Sequence, residues 1–405
     1  MEPQINYGGS SFQNPGQQKI YGRGVKRAGF GCLGIIATLI LLVVLLLVGI
    51  FFAYPALTPD KIRGSFMDMT LVPQKDGSTK LWILTDGSFN FIQTTKSPGY
   101  TSTGRKCYFC KTWTYIYNPA DGKVMKKIKT LYEDIITQIQ IIYHNKQVWV
   151  VTKEYGQNEP KIDIYDAETA ELVTDTKGFV SKYPALSGGL AGINFNEKEN
   201  TITFKTKDGR EYVTYSLNKD KMYDDFSVLH EEDMNEEGEG SIAVLSSESS
   251  SGPRKKLYLV TGPKGKLNTN KSSLESYANN EKNLEFFTGA KSKPLGERVY
   301  LEGMMYYSDE DCAIIIHLDQ LGRKSNRMVT CVDLKTGAEK WTIQQADLFK
   351  RMKIDEDDDT FSSLFFTKDN IEVKRAGNLV VVMYKGEGIL GFDFGTGKKL
   401  WTIDI

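Results

Sequence analysis

The chain has 405 residues and balances 51 lysines and arginines against 51 aspartates and glutamates. That length suits one large β domain or two ordinary ones. A neutral balance gives no electrostatic ground for nucleic-acid binding, so that class of partner is set aside.

Residues 1–27 are rich in Gly, Gln, Asn and Pro, with little to bury, and read as a disordered cytoplasmic tail. Lys19, Arg23, Lys26 and Arg27 stand there against Glu2, a local charge of +3 that leaves −3 for the rest. No acidic or basic residue follows from Ala28 to Tyr54, a run longer than the roughly 20 apolar residues a spanning helix needs. Residues 28–54 are therefore expected to form one transmembrane signal-anchor helix. The cations before it place the N-terminus in the cytoplasm and residues 55–405 outside, at the plasma (inner) membrane facing the periplasm. A cleaved signal peptide would have a shorter apolar core and a small residue where Phe51 or Tyr54 stands. Cys32 precedes the apolar core and so is not a lipid-bearing cysteine.

Past Thr58 the chain turns to short alternating runs closed by turn residues, among them "TKLWILTDG", "KQVWVVTK", "NTITFKTKDG", "KKLYLVTG" and "LVVVMYK". Many short strands at regular spacing indicate an all-β sandwich, barrel or propeller. A repeat selects among them. "CVDLKTGAEKWTI" (Cys331–Ile343) and "GFDFGTGKKLWTI" (Gly391–Ile403) align without a gap, matching Asp333, Thr336, Gly337 and Trp341 to Asp393, Thr396, Gly397 and Trp401. Weaker copies keep Asn118 with Gly122 and Asp166 with Thr169, and Tyr215–Asp225 is a poor fifth. The turns fall at 122, 170, 220, 337 and 397, spaced by 48, 50, 117 and 60 residues. In each copy an Asx side chain starts a turn, Thr-Gly completes it with glycine at positive φ, and the Trp sits on the outgoing strand. A four-stranded unit of about 40–50 residues ending on such a hairpin is one propeller blade, which predicts about six to eight blades after residue 58.

These residues resemble the pyrroloquinoline-quinone-type (PQQ-like) β-propeller repeat, whose hallmark is an Asp, then Thr-Gly, then a Trp four residues on. Propellers sharing it include quinoprotein dehydrogenases and the non-enzymatic outer-membrane assembly lipoprotein of Gram-negative bacteria. The resemblance implies architecture far more than activity. The dehydrogenases carry a vicinal Cys-Cys near the cofactor and a longer body, and this chain has neither.

Other motifs point to little chemistry. Cys107 and Cys110 form a C-x-x-C followed by a strand-like "KTWTYIYN", whereas a redox pair needs a helix start to lower the thiol pKa. Zinc needs four ligands, and Cys312 and Cys331 lie far away in sequence. In an oxidising compartment the reading is a structural disulfide Cys107–Cys110, with Cys312–Cys331 as a candidate second. Asp355, Asp357 and Asp359 have the spacing of a calcium loop, but Thr360 and Phe366 stand where Gly and Glu are required. Glu231–Ser241 is a solvated acidic run, and His144, His230 and His317 have no metal or triad spacing. Thr261–Ser273 resembles a phosphate loop except that Leu267 replaces the Ser or Thr after Gly-Lys. Gly386, Gly388 and Gly391 make a G-x-G-x-x-G, but only 14 residues follow and they read as a hairpin, not the helix a dinucleotide fold needs. The polar stretches Ser246–Lys256 and Leu267–Phe287 read as an insertion on one propeller face, where a partner would bind.

The expectation is thus a membrane-tethered, non-enzymatic propeller that binds an envelope protein or a ligand, with no catalytic residue, cofactor or metal assigned. The alternative is a quinone- or metal-dependent enzyme with its cofactor on the propeller axis.

Overall fold

The computed structural model describes residues 25–48, 61–97, 100–155, 159–196, 199–248, 252–269, 271–322, 325–344, 347, 371–385 and 388–404. The chain forms two units, Met1–Lys61 and Ile62–Ile405. In the first, helix α1 covers Val25–Val48. No helix among the described residues is long and apolar enough to cross a membrane, which overturns the expected transmembrane span over 28–54. Residues 1–24 and 49–60 lie outside the described residues.

The second unit is built from five antiparallel sheets, each of consecutive strands. The first holds β1 (Ser65–Pro73), β2 (Thr79–Asp86), β4 (Tyr100–Asn118) and β5 (Lys123–Tyr132), with β3 (Phe89–Ser97) paired to the far half of β4. The second holds β6 (Ile136–His144), β7 (Gln147–Glu154), β8 (Lys161–Asp166) and β9 (Leu172–Thr174). The third holds β10 (Leu190–Asn196), β11 (Thr201–Thr206), β12 (Val213–Ser216) and β13 (Lys221–Tyr223). The fourth has six strands, β14 (Glu239–Ser247), β15 (Arg254–Pro263), β16 (Lys291–Ser308), β17 (Cys312–Leu318), β18 (Arg327–Asp333) and β19 (Glu339–Gln344). The fifth holds β20 (Ile371–Ala376), β21 (Leu379–Tyr384), β22 (Gly388–Asp393) and β23 (Lys399–Asp404).

Sheets pack face to face through side chains of both partners, which explains why middle strands such as β2 ("LWIL") and β21 ("VVVM") are apolar on both faces. Trp82, Leu84 and Ile116 of the first sheet meet Val148, Val150 and Tyr165 of the second. Trp149 and Ile164 of the second meet Phe204, Val213 and Tyr215 of the third. Ile314 and Cys331 of the fourth meet Val380, Leu390 and Phe392 of the fifth. Val381 and Ile389 of the fifth then return to Leu81 and Tyr115 of the first. Between the third and fourth sheets, helix α3 (Phe226–Met234) lies against helix α4 (Lys264–Thr269). There Gly265 is needed, because a β-carbon would fall 2.2 Å from the Met234 carbonyl oxygen. This is a β-propeller with five blades.

Five blades replace the six to eight expected from repeat length. The count failed because the chain spends residues outside four-stranded units. The β3–β4 arm, the six-stranded fourth blade and its insertion of α4, α5 (Lys271–Tyr277) and α6 (Glu281–Thr288) absorb them. The phosphate-loop-like stretch is this helical insertion. The Gly386 end of the G-x-G-x-x-G and the run Asp355–Asp359 lie outside the described residues.

Candidate functional site

Four of the five blades end on the same turn. Asp333 Oδ1 accepts from the Thr336 N–H (2.9 Å) and hydroxyl (3.0 Å), and Asp393 Oδ1 from those of Thr396 (2.8 and 2.7 Å). Asp166 Oδ1 does so with Thr169 (2.7 and 3.1 Å), while Asn118 Oδ1 takes only the Ala120 N–H (3.0 Å). Four residues after the Asx, the N–H of Gly122, Ala170, Gly337 or Gly397 bonds back to the Asx carbonyl, each residue at positive φ. Asp220, at φ +51°, holds the matching left-handed position of the third blade.

The repeat tryptophans dock on the turn of the next blade. Trp341 donates its Nε1–H to the Phe394 carbonyl (2.8 Å), and a β-carbon on Gly397 would fall 2.6 Å from its ring. Trp401 meets Tyr117, beside the first-blade turn, at 6.1 Å between ring centres. Strand register identifies their equivalents in the other blades. Trp341 pairs with Cys331 and Trp401 with Gly391, each two residues before the turn Asp. Lys126 pairs in the same way with Ile116, and Thr174 with Ile164. Lys126 also reaches the next turn, its ammonium donating to the Ala170 carbonyl at 2.5 Å.

Thr174 does not reach. Where blades 1, 4 and 5 place a lysine stem or an indole, a cavity of about 310 Å³ opens between blades 2 and 3. Trp149, Ile164 and Thr174 form its blade-2 wall, Tyr215 and Asp220 its blade-3 wall, with His144 at one side. Helix α2 (Thr176–Lys182), capped by Asp175 accepting from the Gly178 N–H (2.9 Å), supplies Phe179 and Lys182, and Tyr183 follows it. The rings interlock: Trp149 lies 5.3 Å from both Phe179 and Tyr215, and Tyr183 lies 5.8 Å from Tyr215.

One charge organises the polar side. Tyr215 donates its hydroxyl to Asp220 Oδ1, and His144 Nε2 lies 3.1 Å from the same oxygen. A carboxylate only accepts, so that imidazole nitrogen carries the proton. These two hydrogen bonds, that from Tyr215 foremost, hold the Asp220 carboxyl below its ordinary range, while burial and the Asp220 charge push the Tyr215 hydroxyl up. Asp220 is thus an anion at neutral pH, and its side chain remains 58% exposed. The Trp149 Nε1–H is buried and has no hydrogen-bond partner, as is that of its register equivalent Trp82. A shallower hollow lies beside Leu131, Tyr132, Glu133 and Glu154, but there the Glu154 carboxylate already accepts from the Glu133 and Asp134 N–H groups (2.7 and 2.9 Å).

The other residues singled out in the sequence lie elsewhere. Cys107 and Cys110 are joined in a disulfide on the β3–β4 arm. Cys312 and Cys331 are free thiols buried between blades 4 and 5. Hydrogen bonding between them raises the Cys312 pKa and lowers that of Cys331. His317 is buried between Thr330 (2.9 Å) and the Leu318 carbonyl (2.9 Å), and His230 stacks on Phe226. Among the described residues no group of three His, Cys, Asp or Glu is placed to hold a metal ion. Of the cavity residues the sequence pointed to His144, as one of three histidines without metal or triad spacing, and to position 220, as a poor turn. Counting eight residues on from each turn Asx, to 126, 174, 341 and 401, would have exposed Thr174 as the short member of the set.

No family model and no curated protein matches the chain. Solved structures do. The chain is similar to the β-propeller domain of the Trilobed protease from Pyrococcus furiosus, described as having an open velcro topology. That match covers 83% of this chain and 84% of that one, at 11% identity and a TM-score of 0.28. A second similar structure is the D477G ACO/RPE65 chimera, at 8% identity and a TM-score of 0.20, covering 85% of this chain and 62% of that one. The blade count stands on the sheets themselves.

Proposed function

We propose that this propeller is a non-enzymatic binding platform of the bacterial cell envelope, which takes a ligand or a partner's side chain into the slot between blades 2 and 3. The observation that carries the reading is the short Thr174 where other blades send a long side chain onto the neighbouring turn. The slot is concave, aromatic, and holds a few convergent polar groups, the usual make-up of a ligand site. The shared turn and the docked Trp341 and Trp401 support kinship with the PQQ-like repeat. The Cys107–Cys110 disulfide supports an extracytoplasmic location, since such bonds persist in oxidising compartments.

A photocrosslinking residue at Val173, an exposed member of the cavity wall, tests this in intact cells. A discrete adduct is expected from Val173 and not from the equally exposed Leu400 of blade 5. Identical adducts from both positions would discard the slot as the binding site.

A further inference from the structure

We propose that the slot between blades 2 and 3 binds a primary ammonium carried on an unbranched alkyl stem, as on a lysine side chain. This rests on the platform reading and specifies what the slot takes.

The equivalent slots offer two models of an occupant, and packing decides between them. An indole requires a small residue beside it. Trp341 pairs with Cys331 and Trp401 with Gly391, where even a β-carbon would lie 2.2 Å from the ring. Blade 2 has Ile164 at that place, so an indole is excluded. Across three strands its row reads Trp149, Ile164, Thr174, which matches Trp82, Ile116, Lys126 of blade 1. In blade 1 the occupant is an ammonium on a four-carbon stem, bonded to the Ala170 carbonyl (2.5 Å) and near that of Thr169 (3.5 Å). Shortening the lysine to Thr174 leaves room for stem and head together.

The receiving turn has changed to suit a charge arriving from outside. Asp220 stands where the second blade has Ala170 and places a carboxylate on the wall of the slot. An ammonium against an aromatic face is further held by its quadrupole, and half-buried Tyr183 supplies one, Trp149 and Tyr215 being buried beneath the slot. Lys182 opposes this. Its ammonium lies 5.2 Å from the centre of the Tyr183 ring and adds a positive charge to the wall. An incoming cation competes with it, so Lys182 sets a threshold for binding.

Calorimetric titration of the full chain with N-acetyl-lysine methylamide and with 1,5-diaminopentane tests the proposal, the norleucine analogue being the control without charge. Saturable binding of an amine is expected, with the control weaker by about tenfold or more. Tighter binding of the blocked lysine assigns a polypeptide source, and tighter binding of the diamine a free amine. Thr174→Lys, which restores the blade-1 residue, should abolish binding, and Lys182→Gln should tighten it. Should Thr174→Lys not fold, Asp220→Asn keeps a residue tolerant of the left-handed turn and should weaken binding about fivefold or more. No saturable amine binding, equal binding of the norleucine analogue, or unchanged binding by Thr174→Lys overturns the proposal. If the Val173 adduct persists through that result, the slot still binds a partner and only the ammonium is wrong.

Discussion

Gly397 carries two constraints and Gly122 only one. Both sit at positive φ (+68° and +72°), where an L side chain costs about 1–2 kcal/mol. At Gly122 a β-carbon would meet nothing closer than the Tyr117 hydroxyl at 3.5 Å, but at Gly397 it would press on Trp341 at 2.6–2.9 Å. Gly122→Ala is therefore expected to cost only the conformational part, and Gly397→Ala about 1–3 kcal/mol more from overpacking. Urea unfolding of the two variants checks this, and equal losses would refute the packing account. The same residue-scale logic applies to Asp220, whose depressed pKa means that its hydrogen bonds stabilise the fold at neutral pH. That contribution is lost as the pH falls through the lowered value.

At the scale of elements, the outgoing strand of each blade is a clamp on the next. Trp341 is buried in the seam between blades 4 and 5, so Trp341→Ala should cost about 3–5 kcal/mol, the usual range for emptying an aromatic site. The test is specific: stability should fall while amine binding at the other seam stays unchanged, and a coupled loss would mean the blades do not act as separate units. The hairpins were legible because Asp, Thr and Gly each have a local reason to stand in a turn, and those reasons operate within five residues. Asp333, Thr336 and Gly337 could therefore be read directly. The blade number was not legible, because helices α4–α6 and the arm of β3 and β4 lengthen the chain without adding a blade. The binding slot was invisible for another reason. It is produced by what Thr174 lacks, and a missing lysine stem shows in the sequence only when position 174 is set against 126, 341 and 401, eight residues after each turn Asx.

Across the whole molecule, the first strands of blades 5, 1 and 2 adjoin, and Asp68 links them. Its Oδ2 accepts from the Ile141 N–H of blade 2 (2.8 Å), while Lys374 of blade 5 donates to the Met69 carbonyl (2.6 Å). Burial, and then the neighbouring Glu372 charge, raise the Asp68 pKa well above the ordinary carboxylate value, with Lys374 opposing them. The folded state therefore binds this proton more tightly than the unfolded chain. The stability it contributes is complete below about pH 4 and is lost as the pH rises through the raised value. Asp68→Asn, whose single amide oxygen replaces only one of the two oxygens that accept from the Met69 and Ile141 N–H groups, should lose this pH dependence, so the wild type declines relative to it as the pH rises. Thermal melts across that range decide it, and a wild type that gains on the variant as pH rises would contradict the account. The consecutive build of the blades has a kinetic consequence as well. Every described strand pairs with a neighbour in its own blade, and most of these pairings close over short loops, which favours rapid assembly of each blade. The Lys374–Met69 bond, by contrast, joins residues 305 apart. Among the described residues no exchanged strand bridges that gap, so the seam between the last blade and the first is the long-range step, and its closure sets when the ring becomes one cooperative body.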